Sequence, residues 1–143
     1  MIKLFLVLSI ISFNTFAAPL TLLEKHATSG YVLPEHSFKK DCKIFKEGYV
    51  ESYTKSGDGT IMGFTHGVSS ARIFEIRQMI RLARKAGIVD KGVRCDGGSE
   101  TVTGSFAGKP VMIKALLDCH SWKERTGWAA KRLRNIAKDL CAF

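Results

Sequence analysis

His66 and His120 are the side chains best suited to acid–base work in this sequence. His66 follows a glycine-rich stretch, and His120 comes directly after Cys119, a covalent anchor that would hold it still. Two imidazoles acting as base and acid, with a Lys or Arg to clamp the phosphate, are what RNA transesterification needs. No residue is visibly spaced to orient either ring, and no spacing rule selects this pair. Solvated loop histidines are therefore the expectation, with a small basic nuclease or other hydrolase as the alternative. Other catalytic chemistry finds less support. There is no G-x-S-x-G, and Gly67-Val68-Ser69-Ser70 is better used to start a helix. No carboxylate pair is marked. Ser56-Gly57-Asp58-Gly59 alternates oxygen side chains, but further calcium-ligand positions are missing, so it reads as a turn.

Cysteine chemistry depends on the compartment. Lys3, the apolar run Leu4 to Phe13 and the small-x-small sequence Thr15-Phe16-Ala17 have the layout of a secretory signal peptide. The run is too short for a comfortable membrane span, so residues 1–17 are expected to be cleaved and the protein to be secreted or periplasmic. No transmembrane segment is expected after that cut. Cys42, Cys95, Cys119 and Cys141 all follow it. In an oxidising compartment four cysteines read as two disulfides, which leaves no thiolate nucleophile. Neither C-x-x-C nor H-x₃₋₅-H spacing occurs, so no metal site or cofactor is expected.

Charge provides a stronger signal than catalysis. The chain carries 22 Lys and Arg against 13 Asp and Glu, a formal charge of +9 at pH 7. A basic exported protein favours anionic partners, such as an envelope polymer, an acidic protein or nucleic acid. From Ser69 or Ser70 to Ala86 the apolar residues share one helical face, with Gly87 as the stop. Arg77, Arg81, Arg84 and Lys85 form a separate basic arc, with Phe74 inside it. A second helix, Trp128 to Cys141, carries Lys131, Arg134 and Lys138 opposite its apolar arc, and Trp128 nearer Asn135. Thr126 is the expected cap of that helix. If both helices cover one sheet face, their basic arcs become neighbours and Phe74 and Trp128 supply apolar contact. The few acids on either helix argue against a face built for solubility alone.

The elements that position these groups are hairpins. Cys42–Phe45 and Tyr49–Thr54 read as one, Thr60–Gly67 as a less marked third strand, and Ser99–Phe106 with Pro110–Asp118 as another around Ala107-Gly108-Lys109. The expected fold is α+β: a two-layer sandwich with an antiparallel sheet of two hairpins and two amphipathic helices on one face, stapled by disulfides. Residues 18–40 are expected to be an extended amino-terminal arm, and 41–143 a single domain. In the second hairpin, position 97 would face 119, so Gly97-Gly98 can turn Cys95 toward Cys119. That leaves Cys42 for Cys141. The nearest-neighbour pairing, Cys42–Cys95 with Cys119–Cys141, stays open at this stage.

The segment Cys95 to Cys119, a cysteine, a hairpin and a second cysteine, resembles the carboxyl-terminal half of bacterial subtilisin-inhibitor proteins. The resemblance implies inhibition of an extracytoplasmic enzyme as one expected role. The leading expectation is a non-enzymatic exported binding module, acting as such an inhibitor or by holding an envelope polymer.

Overall fold

The computed structural model describes residues 19–30, 32–95 and 97–142. The expected signal peptide, residues 1–17, lies outside them. Most of the molecule is one antiparallel sheet of eight strands, with two helices. The strands are β1 (Thr21–Thr28), β2 (Phe38–Phe45), β3 (Tyr49–Ser56), β4 (Ile61–Gly67), β5 (Ile88–Asp90), β6 (Ser99–Phe106), β7 (Lys109–Leu117) and β8 (Ser121–Arg125). The helices are α1 (Ser70–Ala83) and α2 (Trp128–Leu140). The spatial order is β4-β3-β2-β1-β6-β7-β8-β5. No helix among the described residues is long and apolar enough to cross a membrane.

The sheet is therefore wider than the two hairpins read from sequence, and the arm is not an arm. Its residues 21–28 form β1, near the middle of the sheet, bonded to β2 on one side and β6 on the other. The periodicity that would have revealed it is interrupted. A register shift between Thr21 and Leu23 lets the neighbours Leu22 and Leu23 both join the core, which breaks the alternation of a regular strand. Lys25 and His26 then fall where a central strand usually reads apolar.

The second hairpin also differs in detail from its expected three-residue turn. Only Ala107 and Gly108 form the turn, both with positive φ, and Lys109 already pairs with Phe106. Such mirror-image two-residue turns match the twist of the flanking strands. A bulge between Val102 and Thr103 then restores the offset, so Glu100 faces Leu116.

Both helices share one core with the sheet: Ile73, Ile76 and Ile80 of α1, and Ala130, Leu133 and Ile136 of α2, pack with Leu23, Ile44, Val50, Val102 and Ile113. Gly104 of β6 permits the approach of α1, because a Cβ there would lie 2.9 Å from Ile80 Cγ1. Ser69 caps α1, its side chain accepting from Arg72 N at 3.3 Å. At the start of α2 the cap is Gly127, with φ +87°, and not Thr126. Thr126 instead donates to the Gly87 carbonyl at 3.1 Å. The bonded cysteine pairs are Cys42–Cys141 and Cys95–Cys119, with Cα atoms 5.8 and 4.2 Å apart.

Candidate anion-binding cleft

The two basic arcs do not merge. Across the seam between the helices, Glu75 accepts from Arg72 at 2.8 Å and from Arg132 of α2 at 2.6 Å, and Arg72 lies 3.7 Å from Asp139. Pairing Arg72 with Asp139 and Glu75 with Arg132 makes the helices antiparallel. Arg132 first, and Arg72 after it, hold the Glu75 carboxyl below its ordinary value against an opposing effect of burial. The acids on the two helices are thus spent on each other's arginines at the seam. At 100° per residue, Arg77 and Arg81 then fall on the flank of α1 away from α2, and Arg134 and Lys138 on the flank of α2 away from α1. The joint face expected from sequence is two separate faces.

On the α1 flank the side chains build a concavity. Arg77, Gln78 and Arg81 form one wall, Leu20 to Leu22 and Lys46 another, and Ser105 to Gly108 of the β6–β7 turn the third. The cleft encloses about 480 Å³ and has three cations and no acid among its lining residues. Its shape is fixed by the backbone: Lys46 N donates to the Leu20 carbonyl at 3.1 Å, joining the β2–β3 turn to the start of β1. Arg84 stacks its guanidinium over Phe106, 4.2 Å from the ring centroid, and so orders the turn side. A neighbouring recess shares Lys46 and Arg77 and adds Glu47, Gly48, Val68, Ser70 and Phe74. Phe74, 63% exposed, stands at the rim of that recess, in which Glu47 is an acid beside the two shared cations.

The remaining residues singled out from sequence serve other purposes. Lys85, Lys131 and Trp128 are exposed, Trp128 at 67%, and line none of these recesses. Arg134 is half-buried and donates to the Arg125 carbonyl at 3.1 Å, so it fastens α2 to β8. Lys138 faces the far flank, beside Lys25 and Lys40. Lys46, Leu20, Gln78 and Phe106 were missed as site residues. Lys46 had no periodic signal because it sits in a turn, and Leu20 belongs to the segment read as an arm.

The histidine pair does not converge. His66 lies on β4, stacked on Phe64, with ring centroids 5.6 Å apart. His120 is in the β7–β8 turn, its Nδ1 2.7 Å from the Asp118 carbonyl. β4 and β7 are five strand spacings apart, about 24 Å along the sheet. The register also puts the two rings at opposite ends of their strands. That distance forbids joint action on one phosphate.

A different histidine does have an acidic partner. His26, Asp41 and Tyr53 sit directly opposite one another on β1, β2 and β3. His26 Nδ1 is hydrogen-bonded to Asp41 Oδ1, and its Nε2 lies 3.6 Å from Glu24. Asp41 is 2% exposed. Burial pushes its carboxyl up, but His26, Tyr53 and the Lys39 charge outweigh that and leave it below its ordinary value. The Nε2 edge, where a catalytic base meets its substrate, is turned to a second carboxylate. The ring bridges two acids and addresses no nucleophile. Among the described residues no cluster of three or more His, Cys, Asp or Glu forms a metal site.

Compared with protein-family models, curated proteins and solved structures, the chain has no match.

Proposed function

We propose that the protein is an extracytoplasmic, non-enzymatic binding module that holds an anionic polymer along the Lys46–Arg77–Arg81 trough. The reading treats the molecule as a two-layer sandwich, a stapled platform whose helix-bearing side presents the ligand site. One observation carries it: three cations from two elements line a concave cleft without an acid among them. Ordinary solvated surfaces mix both signs, as the helix seam does. The adjoining recess shares Lys46 and Arg77, brings in Glu47 and has Phe74 at its rim, so it lengthens the track in one direction. An elongated track suits repeated anionic groups better than a single one. Two disulfides fit an oxidising compartment.

Long-chain inorganic polyphosphate and polyglutamate are suitable probes, since they present repeated charge with and without phosphate. Binding to either should weaken with salt, with a log–log slope of about −2 for three neutralised groups. Arg77→Glu with Arg81→Glu should abolish most of that binding while leaving the melting temperature nearly unchanged, because exposed charges contribute little to stability. Equal affinity in the double variant returns this flank to ordinary solvated surface. Inhibition of an extracytoplasmic protease, with polyanions ignored, would replace the polymer by an acidic protein partner. The nuclease alternative predicts RNA cleavage that His120→Ala removes. The expected result is no cleavage between pH 5 and 8.

A further inference from the structure

The strand β4 leaves one edge of the sheet open. Its seven residues include no Lys, Arg, Asp or Glu, in a chain of formal charge +9. Among the described residues it pairs with β3 alone, and no strand lies beyond it. The bonds at its two ends fix which backbone groups are free. Ser56 N donates to the Thr60 carbonyl and Val68 N to the Gly48 carbonyl, each at 2.8 Å. The register between them is unbroken, so Met62, Phe64 and His66 turn their N–H and C=O groups toward β3. Those of Ile61, Gly63, Thr65 and Gly67 face away from it. Native sheet edges are usually blunted by charge, proline or brevity. The other edge follows that rule, since β5 has three residues, ends on Asp90 and is followed by Lys91. β4 has no such device, and Ile61, Met62 and Phe64 are 67%, 63% and 43% exposed.

We propose that β4 pairs antiparallel with β4 of a second copy, giving a two-fold dimer with one continuous sheet. An arrangement centred on Phe64 uses every outward group: Ile61 bonds with Gly67 of the second copy and Gly63 with Thr65, each pair occurring twice by symmetry. The side chains agree with that register. On the face away from the helices, Ile61 and Thr65 each lie against a glycine, so no bulk collides. On the helix side, Phe64 meets Phe64 of the second copy in a non-hydrogen-bonded pair, where strands bring side chains closest, and Met62 meets His66. Phe64 is stacked on His66 of its own strand, so the contact gathers these apolar groups from both copies. Charge favours this place of contact. Two basic copies repel, and a strand without charged residues lets them approach without setting like charges opposite each other. Pairing with the short β5 of another copy would satisfy fewer groups and leave edges open for further copies. An edge of this length is a small contact, so the dimer belongs to the weak class.

Sedimentation equilibrium of the oxidised protein should show a monomer–dimer equilibrium at micromolar concentrations. Salt should tighten the dimer by screening the repulsion between basic copies, the reverse of its effect on the polymer trough. Phe64→Lys should weaken the dimer by about tenfold or more, since it sets two like charges opposite each other. Thr65→Pro should do the same, because its amide points outward and proline removes no donor to β3. Melting temperatures read on the monomers show that both variants fold. Arg77→Glu with Arg81→Glu should dimerise at least as well as the wild type, which separates this edge from the trough. Hydrogen exchange reads the register directly. The amides of Ile61, Gly63, Thr65 and Gly67 should slow as protein concentration rises, while those of Met62, Phe64 and His66 are slow throughout. A monomer at every concentration overturns the proposal. So does a dimer that persists in both folded variants or leaves the outward amides exchanging freely, and so does growth beyond the dimer.

Discussion

Arg125 closes the carboxyl end of α1 by donating from Nη1 to the Ala86 carbonyl at 2.7 Å. The same nitrogen reaches the Arg84 carbonyl at 3.0 Å, and Nε donates to the Met112 carbonyl of β7 at 2.9 Å. One guanidinium thus joins β7, β8 and the end of the helix that carries Arg77 and Arg81. The last carbonyls of a helix have no partner within it, and a cation there also meets the negative end of the helix dipole.

Arg125→Met should destabilise the protein by about 2–3 kcal/mol, the range for hydrogen bonds to a charged group with part of the site buried. Arg125→Lys should recover little, because an ammonium lacks the planar fork that addresses two directions at once. Urea titrations measure both, and amide exchange in residues 83–87 should quicken in the variants. A loss below about 0.5 kcal/mol for Arg125→Met, the scale of an ordinary surface change, would mean that water caps the helix equally well.

Asp41 ties part of the acid stability to one buried side chain. Its folded pKa is lowered, so its contribution is present above the unfolded value of about 3.9 and is lost as pH falls through the folded value. The wild-type melting temperature should therefore drop steeply below about pH 4. Asp41→Asn should be less stable near neutrality, and its melting curve should be flatter over that acidic window. Parallel pH profiles for the two proteins would show that the group does not supply the linkage. The Asp41 carboxylate opposite it first, and burial after it, raise the Tyr53 hydroxyl above its ordinary value, so Tyr53→Phe should reproduce part of the change.

The two disulfides should differ in both contribution and accessibility. Cys42–Cys141 closes 99 residues and Cys95–Cys119 closes 24. In the chain-entropy model their removal costs about 4.7 and about 3.5 kcal/mol respectively. Cys42 and Cys141 are buried in the core, whereas Cys95 is exposed. Graded reduction followed by alkylation and peptide mapping should label Cys95 and Cys119 first, since thiol attack needs access. Early labelling of Cys42 would contradict the burial of that bridge.

What the sequence determined is whatever rests on local pattern. The 3.6-residue periodicity located both helices, to within three residues at the end of α1, because an amphipathic stripe records one buried face. Gly97-Gly98 and the hairpin offset were enough to favour Cys95–Cys119, and elimination gave Cys42–Cys141. The basic arc of α1 was equally legible, since a helix fixes the angles between its own side chains.

The tertiary structure decided what depends on contacts between distant segments. β1 sits near the middle of the sheet because β2 and β6 bond to both its edges, although its bulge and its Lys25-His26 pair disguise it. Asp41 meets His26 and Tyr53 only through the register of three strands. The basic arcs were separated by the choice of which helix sides face each other, and Glu75 with Arg132 and Arg72 with Asp139 record that choice. Lys25, Lys40 and Lys138 converge from three elements with no common spacing. Sequence periodicity reports the face that a segment buries, but which neighbour lies beside that face is set by packing the whole chain.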